Sequence, residues 1–448
     1  MEVEDKNNND PGSFLQMVKH YLESNPLIKT DNKMSELEVS FGTIDRDRKL
    51  TKIDYLNVVK YLYSCGFKTE NDEGLQILRI QNQFVAPDGK TKMSSIRAEI
   101  VGSDLIQEYT KTNSIQKILD IPSTTFEKLK FTQKLDAVTR DNKRIQKVFM
   151  KDYNFRVAFK TEQDFHVHTS IARKIISKWE DSLKTFRCLN RVRFQHPNYP
   201  VFIDVSIVKS STKSKNIPIP KYTIQDANVF QNPEEYEIEI EVDNKRVGTE
   251  SEYQRAEFLL QNMRKCIRII LSGLQKTKYP ISYEEQKQVL FKYLSVIHGD
   301  EHKIERPTPR YFIGPTSSTL QIENISEDVE TSVVPNIRKN YTVTDKADGE
   351  RYLLFIDDAG KIYLIDMNMN VLFTGTFTKE KSIFNSIIDG EYIKNNKQGN
   401  PIQLFAAFDV YYVNNKKYMN YPLHVEHNDE NKEQPISRLY ILQNLINV

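Results

Sequence analysis

The sequence predicts an α+β protein: an antiparallel β-barrel with ionic side chains turned inward and helices over its apolar exterior, then a second domain of short strands and turns. Three observations carry this. Several segments before residue 245 alternate charged with β-branched or aromatic residues at strand period. Those charges are grouped by sign along the chain. Past residue 245 the apolar spacing lengthens to three and four, and from residue 341 short apolar runs separated by Gly-containing motifs take over. The 448 residues suit two or three domains, divided here into 1–245 and 246–448.

Composition excludes several classes. The chain is 39% hydrophobic with 23 Tyr and 23 Phe, too rich for a largely disordered protein. No run approaches the roughly 18 apolar residues of a spanning helix, so no membrane association is expected. Met1–Asp10 is acidic and polar, unlike a secretory signal. Cys65, Cys188 and Cys266 are too far apart for a disulfide framework or a zinc motif. The net charge is only +2, but residues 128–160 hold ten Lys/Arg against three acids and residues 171–221 hold eleven against three. Residues 232–260 reverse this, with nine acids and three bases. Segments of opposite sign are expected to face each other.

The first acidic strand is Glu36-Leu-Glu-Val-Ser-Phe41, with Glu36 and Glu38 on one face and Leu37 and Val39 on the other. The second is Tyr236–Asp243, where Glu237, Glu239 and Glu241 alternate with Ile238, Ile240 and Val242. Carboxylates two residues apart on one face repel unless a cation lies between them. An oxygen-only set of this kind suits Mg²⁺ or Mn²⁺ rather than zinc.

Between them lie basic strands of the same design. Asn154–Lys160 sets Arg156 and Lys160 against Phe155, Val157 and Phe159, and Arg187–Phe194 aligns Arg187, Arg191 and Arg193 against Val192 and Phe194. Val201–Val208 sets Asp204 and Ser206 against Ile203, Val205 and Ile207. Each alone reads as an ordinary amphipathic strand. Closed together with ionic faces inward, they make a tunnel holding carboxylates for metal and Arg/Lys for phosphate.

That pattern resembles the triphosphate tunnel metalloenzymes, the metal-dependent RNA triphosphatases of large DNA viruses and lower eukaryotes. The resemblance implies that Glu36, Glu38, Glu237, Glu239 and Glu241 hold the catalytic metal. It also implies that Arg156, Lys160, Arg187, Arg191 and Arg193 bind the triphosphate, with Asp204 beside them. Where the family often carries a basic residue two positions before that aspartate, this chain has Phe202.

Residues 252–274 and 283–297 then read as two amphipathic helices, the first a cover for the barrel. Pro307-Thr-Pro309 and Gly314-Pro315 mark a loop. Tyr341–Ile356 reads as strand, turn, strand, containing Lys346-Ala-Asp348-Gly-Glu-Arg351. A lysine amine attacks only when deprotonated, and neighbouring cations are expected to lower its pKa. Ile387-Ile-Asp-Gly-Glu391-Tyr-Ile393 reads as a further turn, and Leu404–Tyr412 as a strand offering Phe408 and Asp409.

Lys-x-Asp-Gly-x-Arg, Asp-Gly-Glu and Phe-Asp in this order resemble the covalent nucleotidyltransferases, the mRNA guanylyltransferases and polynucleotide ligases. The resemblance makes GTP the substrate: Lys346 attacks its α-phosphate to give lysyl-GMP, Arg351 contacts the sugar, and Glu391 serves nucleotide and metal. Phe408 would stack on the purine, with Asp348 and Asp409 completing the GTP site. As a whole the chain resembles the N-terminal part of giant-virus capping enzymes. That implies triphosphate-ended RNA as a partner, further capping or methyltransferase domains, and a place in the host cytoplasm, a viral factory or the virion. The superfamily's later strand motifs and OB-fold are not found after Asp409, so the second domain is expected to be incomplete and weak in GMP transfer. An ATP-dependent ligase fragment and a non-catalytic RNA-binding scaffold remain alternatives.

Overall fold

Eight strands with charged inner faces close on themselves in the computed structural model, which describes residues 11–24, 33–248, 252–304, 307–327, 334–339, 341–425 and 436–447. The polar start, Met1–Asp10, lies outside the described residues. The strands are β1 (Lys33–Phe41), β2 (Leu75–Val85), β3 (Thr91–Val101), β4 (Leu129–Asp136), β5 (Phe155–Phe165), β6 (Lys184–Gln195), β7 (Val201–Ser210) and β8 (Glu235–Val242). They pair antiparallel in the order β1-β8-β7-β6-β2-β3-β4-β5, and β5 returns to β1 with Glu36 opposite Lys160. The closed antiparallel barrel is as expected, and it leaves no free sheet edge among these strands.

Alternation decides which side each residue takes. Leu37, Val39, Phe155, Val157, Phe159, Val192, Phe194, Ile203, Val205, Ile238 and Ile240 join one apolar cluster outside the barrel. Helices α1 (Pro11–Glu23), α2 (Lys52–Ser64) and α4 (Ala256–Gln275) cover it, contributing Phe14, Tyr21, Val58, Leu62, Leu259, Met263 and Ile270. Helix α2 starts at a capping box between Thr51 and Asp54. A second cluster covers the opposite wall, where α3 (Ser103–Thr112), Trp179 and residues 224–229 pack on Leu78, Ile80, Ala98, Ile100 and Phe131.

The chain divides into compact units Met1–Lys276 and Thr277–Val448. The boundary therefore falls after α4 rather than at 245/246. The reason is close packing: a Cβ on Gly273 of α4 would lie 2.9 Å from the Val58 backbone, so the glycine lets α4 settle against α2. Among the described residues no helix is long and apolar enough to cross a membrane.

The second unit is built on an antiparallel sheet. Its strands β9 (Glu350–Ile356), β10 (Lys361–Asp366), β11 (Val371–Phe377), β12 (Ser386–Asn395) and β13 (Pro401–Val413) lie in the order β11-β10-β9-β12-β13. Helix α5 (Tyr283–His298) packs on one face through Val289, Tyr293 and Leu294, against Leu353, Phe355 and Tyr363. Helix α6 (Arg438–Ile446) joins Ile388 and Val410 through Leu442.

Two local expectations are corrected here. Residues 341–348 form no strand; Val343 is fully open to solvent, and among the described residues no strand pairs with the segment. Ile387–Ile393 is strand, not turn. Gly390 lies opposite Ala407, and a Cβ there would meet the Phe405 ring at 2.5 Å, so this glycine admits a close neighbour instead of a bend.

Candidate functional site

The inward faces of the barrel bring together every tunnel residue singled out in the sequence. Register puts Glu38 of β1 opposite Glu241 of β8 and Ser40 opposite Glu239, so the five glutamates share the inner side of two adjacent strands. Each is drawn to a cation on another strand of the barrel, in most cases two strands away. Lys134 Nζ lies 2.7 Å from Glu36 Oε1 and 2.8 Å from Glu38 Oε2, and Lys160 also binds Glu38. Arg187 pairs with Glu237. Arg191 reaches Asp204 at 3.0 Å and Glu239 at 3.8 Å. Arg193 donates to both Asp204 oxygens and, at 2.6 Å, to Glu241. Its guanidinium lies over the Phe202 ring, 4.6 Å from the centroid, so Phe202 serves as a platform for a cation.

Two further groups line the tunnel. Glu99 is held by Arg79 and Arg97 at 2.8 and 2.7 Å, with Glu162 on Arg97 at 3.6 Å. Asp164 accepts from Lys130 and from Thr132 Oγ1. Arg156 shares the inner face of β5 with Lys160, and Asp136 lies opposite Lys160 on the same side. Arg156 stands apart: among the described residues it has no carboxylate in ion-pair range, and its Nε is buried without a hydrogen-bond partner. It is the cation most available to a phosphate.

Burial and charge divide the neighbouring carboxyls Glu36 and Glu38. Burial pushes Glu36 up, with Glu38 and Glu241 adding to the rise over the opposing pull of Lys134. Burial opposes ionisation at Glu38 too, but Lys134 and Lys160 together hold it below the usual carboxylate range. Among the described residues no three His, Cys, Asp or Glu side chains gather closely enough to hold a metal. The ion pairs explain this, since the glutamates lean towards cations rather than towards one another. The donor chemistry nevertheless fits a hard divalent ion: the set is all carboxylate oxygen, and Glu36 Oε2 is buried with no hydrogen-bond partner.

In the second unit, β9 and β12 bring Arg351 opposite Glu391. Arg351 grips Asp389 through Nε at 3.0 Å and Nη2 at 2.5 Å, and Tyr411 OH donates to the same carboxylate at 2.6 Å. Glu391 Oε2 is buried and unpartnered. It approaches Gly349, where a Cβ would lie 3.2 Å from it and 2.8 Å from the Tyr392 carbonyl; glycine therefore keeps the Lys346 segment against β12. Phe408, at the irregularity in β13, is partly exposed. Asp409 faces elsewhere, held by Arg438 of α6 at 2.7 and 3.0 Å. Lys346 is 82% exposed and donates to Asp348 at 3.1 Å. That hydrogen bond and charge raise the amine's pKa, the reverse of the expected lowering, because the group beside it is a carboxylate and not a cation.

Residues 334–433, which contain all of these motifs, match the family profile described as mRNA capping enzyme, catalytic domain. The probable mRNA-capping enzyme of Acanthamoeba polyphaga mimivirus is 31% identical over 186 residues, 42% of this chain and 13% of that protein. Over those residues the chain is similar to that viral capping enzyme. It covers only that small part of its viral relative's length. The S. pombe RNA triphosphatase Pct1, solved in complex with the Spt5 CTD, is 11% identical with a TM-score of 0.29, over 59% of this chain and 93% of that one. The barrel stands on its own strand pairing.

Several residues lining the tunnel escaped the sequence reading: Arg79, Arg97, Glu99, Lys130, Lys134 and Asp164. The signal was present. In Leu129–Asp136, Lys130, Thr132 and Lys134 alternate with the buried Leu129 and Phe131, the same period that marked the acidic strands. The Asp389–Arg351 clasp had no such signal, because the carboxylate and guanidinium come from strands 38 residues apart.

Proposed function

We propose that the first unit removes the γ-phosphate of triphosphate-ended RNA with a divalent cation, and that the second transfers GMP from GTP to the diphosphate end. Both steps belong to mRNA capping, here placed in the cytoplasm of an infected host. The observation that carries the reading is the closed barrel whose inner faces hold carboxylates together with Lys and Arg, Arg156 having no acidic partner among the described residues. Mg²⁺ or Mn²⁺, held among Glu36, Glu38, Glu237, Glu239 and Glu241, would offset the charge building on the γ-phosphate and its leaving group.

The chain's own residues do the rest. Arg156 binds a phosphate oxygen without first giving up a partner. Lys160, Arg191 and Arg193 exchange carboxylate for phosphate contacts, and guanidinium suits the fork geometry. Asp204, held from two sides, keeps Arg191 and Arg193 aimed along the tunnel. Water adds to the γ-phosphorus, the bond to the β-bridging oxygen breaks, and phosphate leaves. In the second unit the deprotonated Lys346 amine bonds to the α-phosphorus of GTP as pyrophosphate departs. The match of residues 334–433 to the capping catalytic domain supports this half.

Phosphate release from triphosphate-ended RNA, measured with Mg²⁺, with Mn²⁺ and with chelator, tests the first activity. Retained label from α-³²P-GTP against α-³²P-ATP tests the second and separates it from ligase chemistry. Absence of metal-dependent release overturns the triphosphatase reading.

A further inference from the structure

A cavity of about 590 Å³ opens on the outer wall of the barrel, away from the charged interior. It is bounded by Leu119, Thr124, Thr125 and Phe126 on one side and by His166, His168 and Arg173 on the other. Its volume lies in the range of small-ligand sites.

Three rings in the wall are nearly parallel. Phe126 and His166 stack with centroids 5.4 Å apart and planes 10° apart, and His166 and His168 follow at 4.7 Å and 28°. The two histidines and Phe126 are all exposed, so the stack ends in an open aromatic face. Backbone contacts fix it: the His168 amide donates to His166 Nδ1 at 3.3 Å, and Thr169 Oγ1 donates to the His166 carbonyl at 2.8 Å. The lining contains no carboxylate, and Arg173 is its fixed cation. Among the described residues no third ligand joins the histidines to make a metal site.

An exposed ring stack beside a guanidinium is a surface for unpaired nucleobases, whose faces stack on aromatics while the phosphates meet the cation. Its position links it to the tunnel. His166 lies two residues beyond Asp164, the last inward acid of β5, and Leu129 in the wall immediately precedes Lys130, which pairs with that acid. A strand of RNA running out of the barrel at this edge passes directly onto the rings.

We propose that this cavity binds bases of single-stranded RNA next to its triphosphate end. The inference rests on the triphosphatase reading for its biological sense, but its test does not.

The probe is a fluorescein-labelled, 5′-hydroxyl single-stranded RNA of about ten nucleotides, within the site size of such surfaces, bound to the full chain and read by anisotropy. Stacking on one ring is worth about a fivefold to hundredfold change in affinity. Phe126→Ala and His166→Ala are each expected to weaken binding at least about fivefold, while Phe126→Tyr, which keeps the ring, binds like the parent. Duplex RNA of equal length is expected to compete poorly. Unchanged binding in both alanine variants overturns the proposal, as does Phe126→Tyr binding no better than Phe126→Ala, or equal competition by duplex. Failure of the triphosphatase reading would appear separately, as absent phosphate release, and leaves this measurement standing because the probe has no triphosphate.

Discussion

Arg193 donates from Nε and Nη2 to the two oxygens of Asp204, each at 2.7 Å, in a fork that leaves the carboxylate 3% exposed. The same Nη2 also reaches Glu241. A residue expected to bind phosphate is thus also a brace across three strands. Together the clasps raise the pKa of Arg193 despite burial, which alone would lower it. Under the proposed function, phosphate binding and fold stability would be coupled at this residue and separable at Arg156.

The first prediction follows from that difference. Arg193→Ala strands Asp204 with Arg191 alone and should cost about 2 kcal/mol, less than the loss of a buried ion's sole partner. Arg156→Ala removes a cation with no acidic partner and should cost under about 1 kcal/mol. Both should lower triphosphatase rate at least about tenfold through lost phosphate contacts. Urea melts and phosphate release on the two variants check this. Equal destabilisation by both would mean that Arg156 braces the barrel after all.

A second prediction concerns the acidic strand. Glu237→Ala or Glu239→Ala should reduce metal-dependent phosphate release by at least about 100-fold, the scale of a lost electrostatic contact in a transition state. Circular dichroism would confirm that the barrel persists. Full activity in both variants would remove these carboxylates from the chemistry.

How much of this was readable in advance depended on whether a signal was local. Period-two alternation gave Glu36/Glu38, Glu237–Glu241 and the basic strands their common inner face, whereas closure through Glu36 and Lys160 is read only from the strand register. Pairing did not show in the sequence: which cation each glutamate takes depends on register between distant strands, as with Lys134 and Glu38, 96 residues apart. In the second unit the motifs lie within the matched catalytic-domain segment, but the sequence did not show the partners those residues now hold. Asp409 turned to Arg438 because α6 packs under β13, a tertiary fact without local trace. Gly390 resembled a turn residue because a glycine that admits a neighbouring ring and one that bends the chain look alike in sequence.

A third prediction uses Glu99. Burial alone would raise its carboxyl, but Arg79 and Arg97 override burial and hold it at about 2. An unfolded glutamate titrates at about 4.3. The depressed value therefore supplies stability that is present above that pH and lost as pH falls from there towards 2, about 3 kcal/mol when complete. Glu99→Gln should destabilise the protein at pH 7 and flatten the acid limb of stability. Urea midpoints at pH 7 and pH 3 test this; an identical pH difference in parent and variant would show that other carboxyls carry the limb.

The last prediction concerns Lys346. Its amine is exposed and bound to Asp348, which raises its pKa, so little of it is in the nucleophilic form at neutral pH. Lysyl-GMP should accumulate slowly at pH 7 and faster as pH rises, by about tenfold per unit while the amine remains mostly protonated. Asp348→Asn removes the charge that holds the proton and should move the rise to lower pH, even if the lost carboxylate weakens GTP binding and the plateau falls. Lys346→Ala should abolish the label. These outcomes are read from α-³²P-GTP labelling across a pH series under denaturing electrophoresis. Label that survives Lys346→Ala would place the nucleophile elsewhere, and a flat pH profile in the parent would mean that nucleotide binding already strips the proton, with Asp348 turned away from the amine.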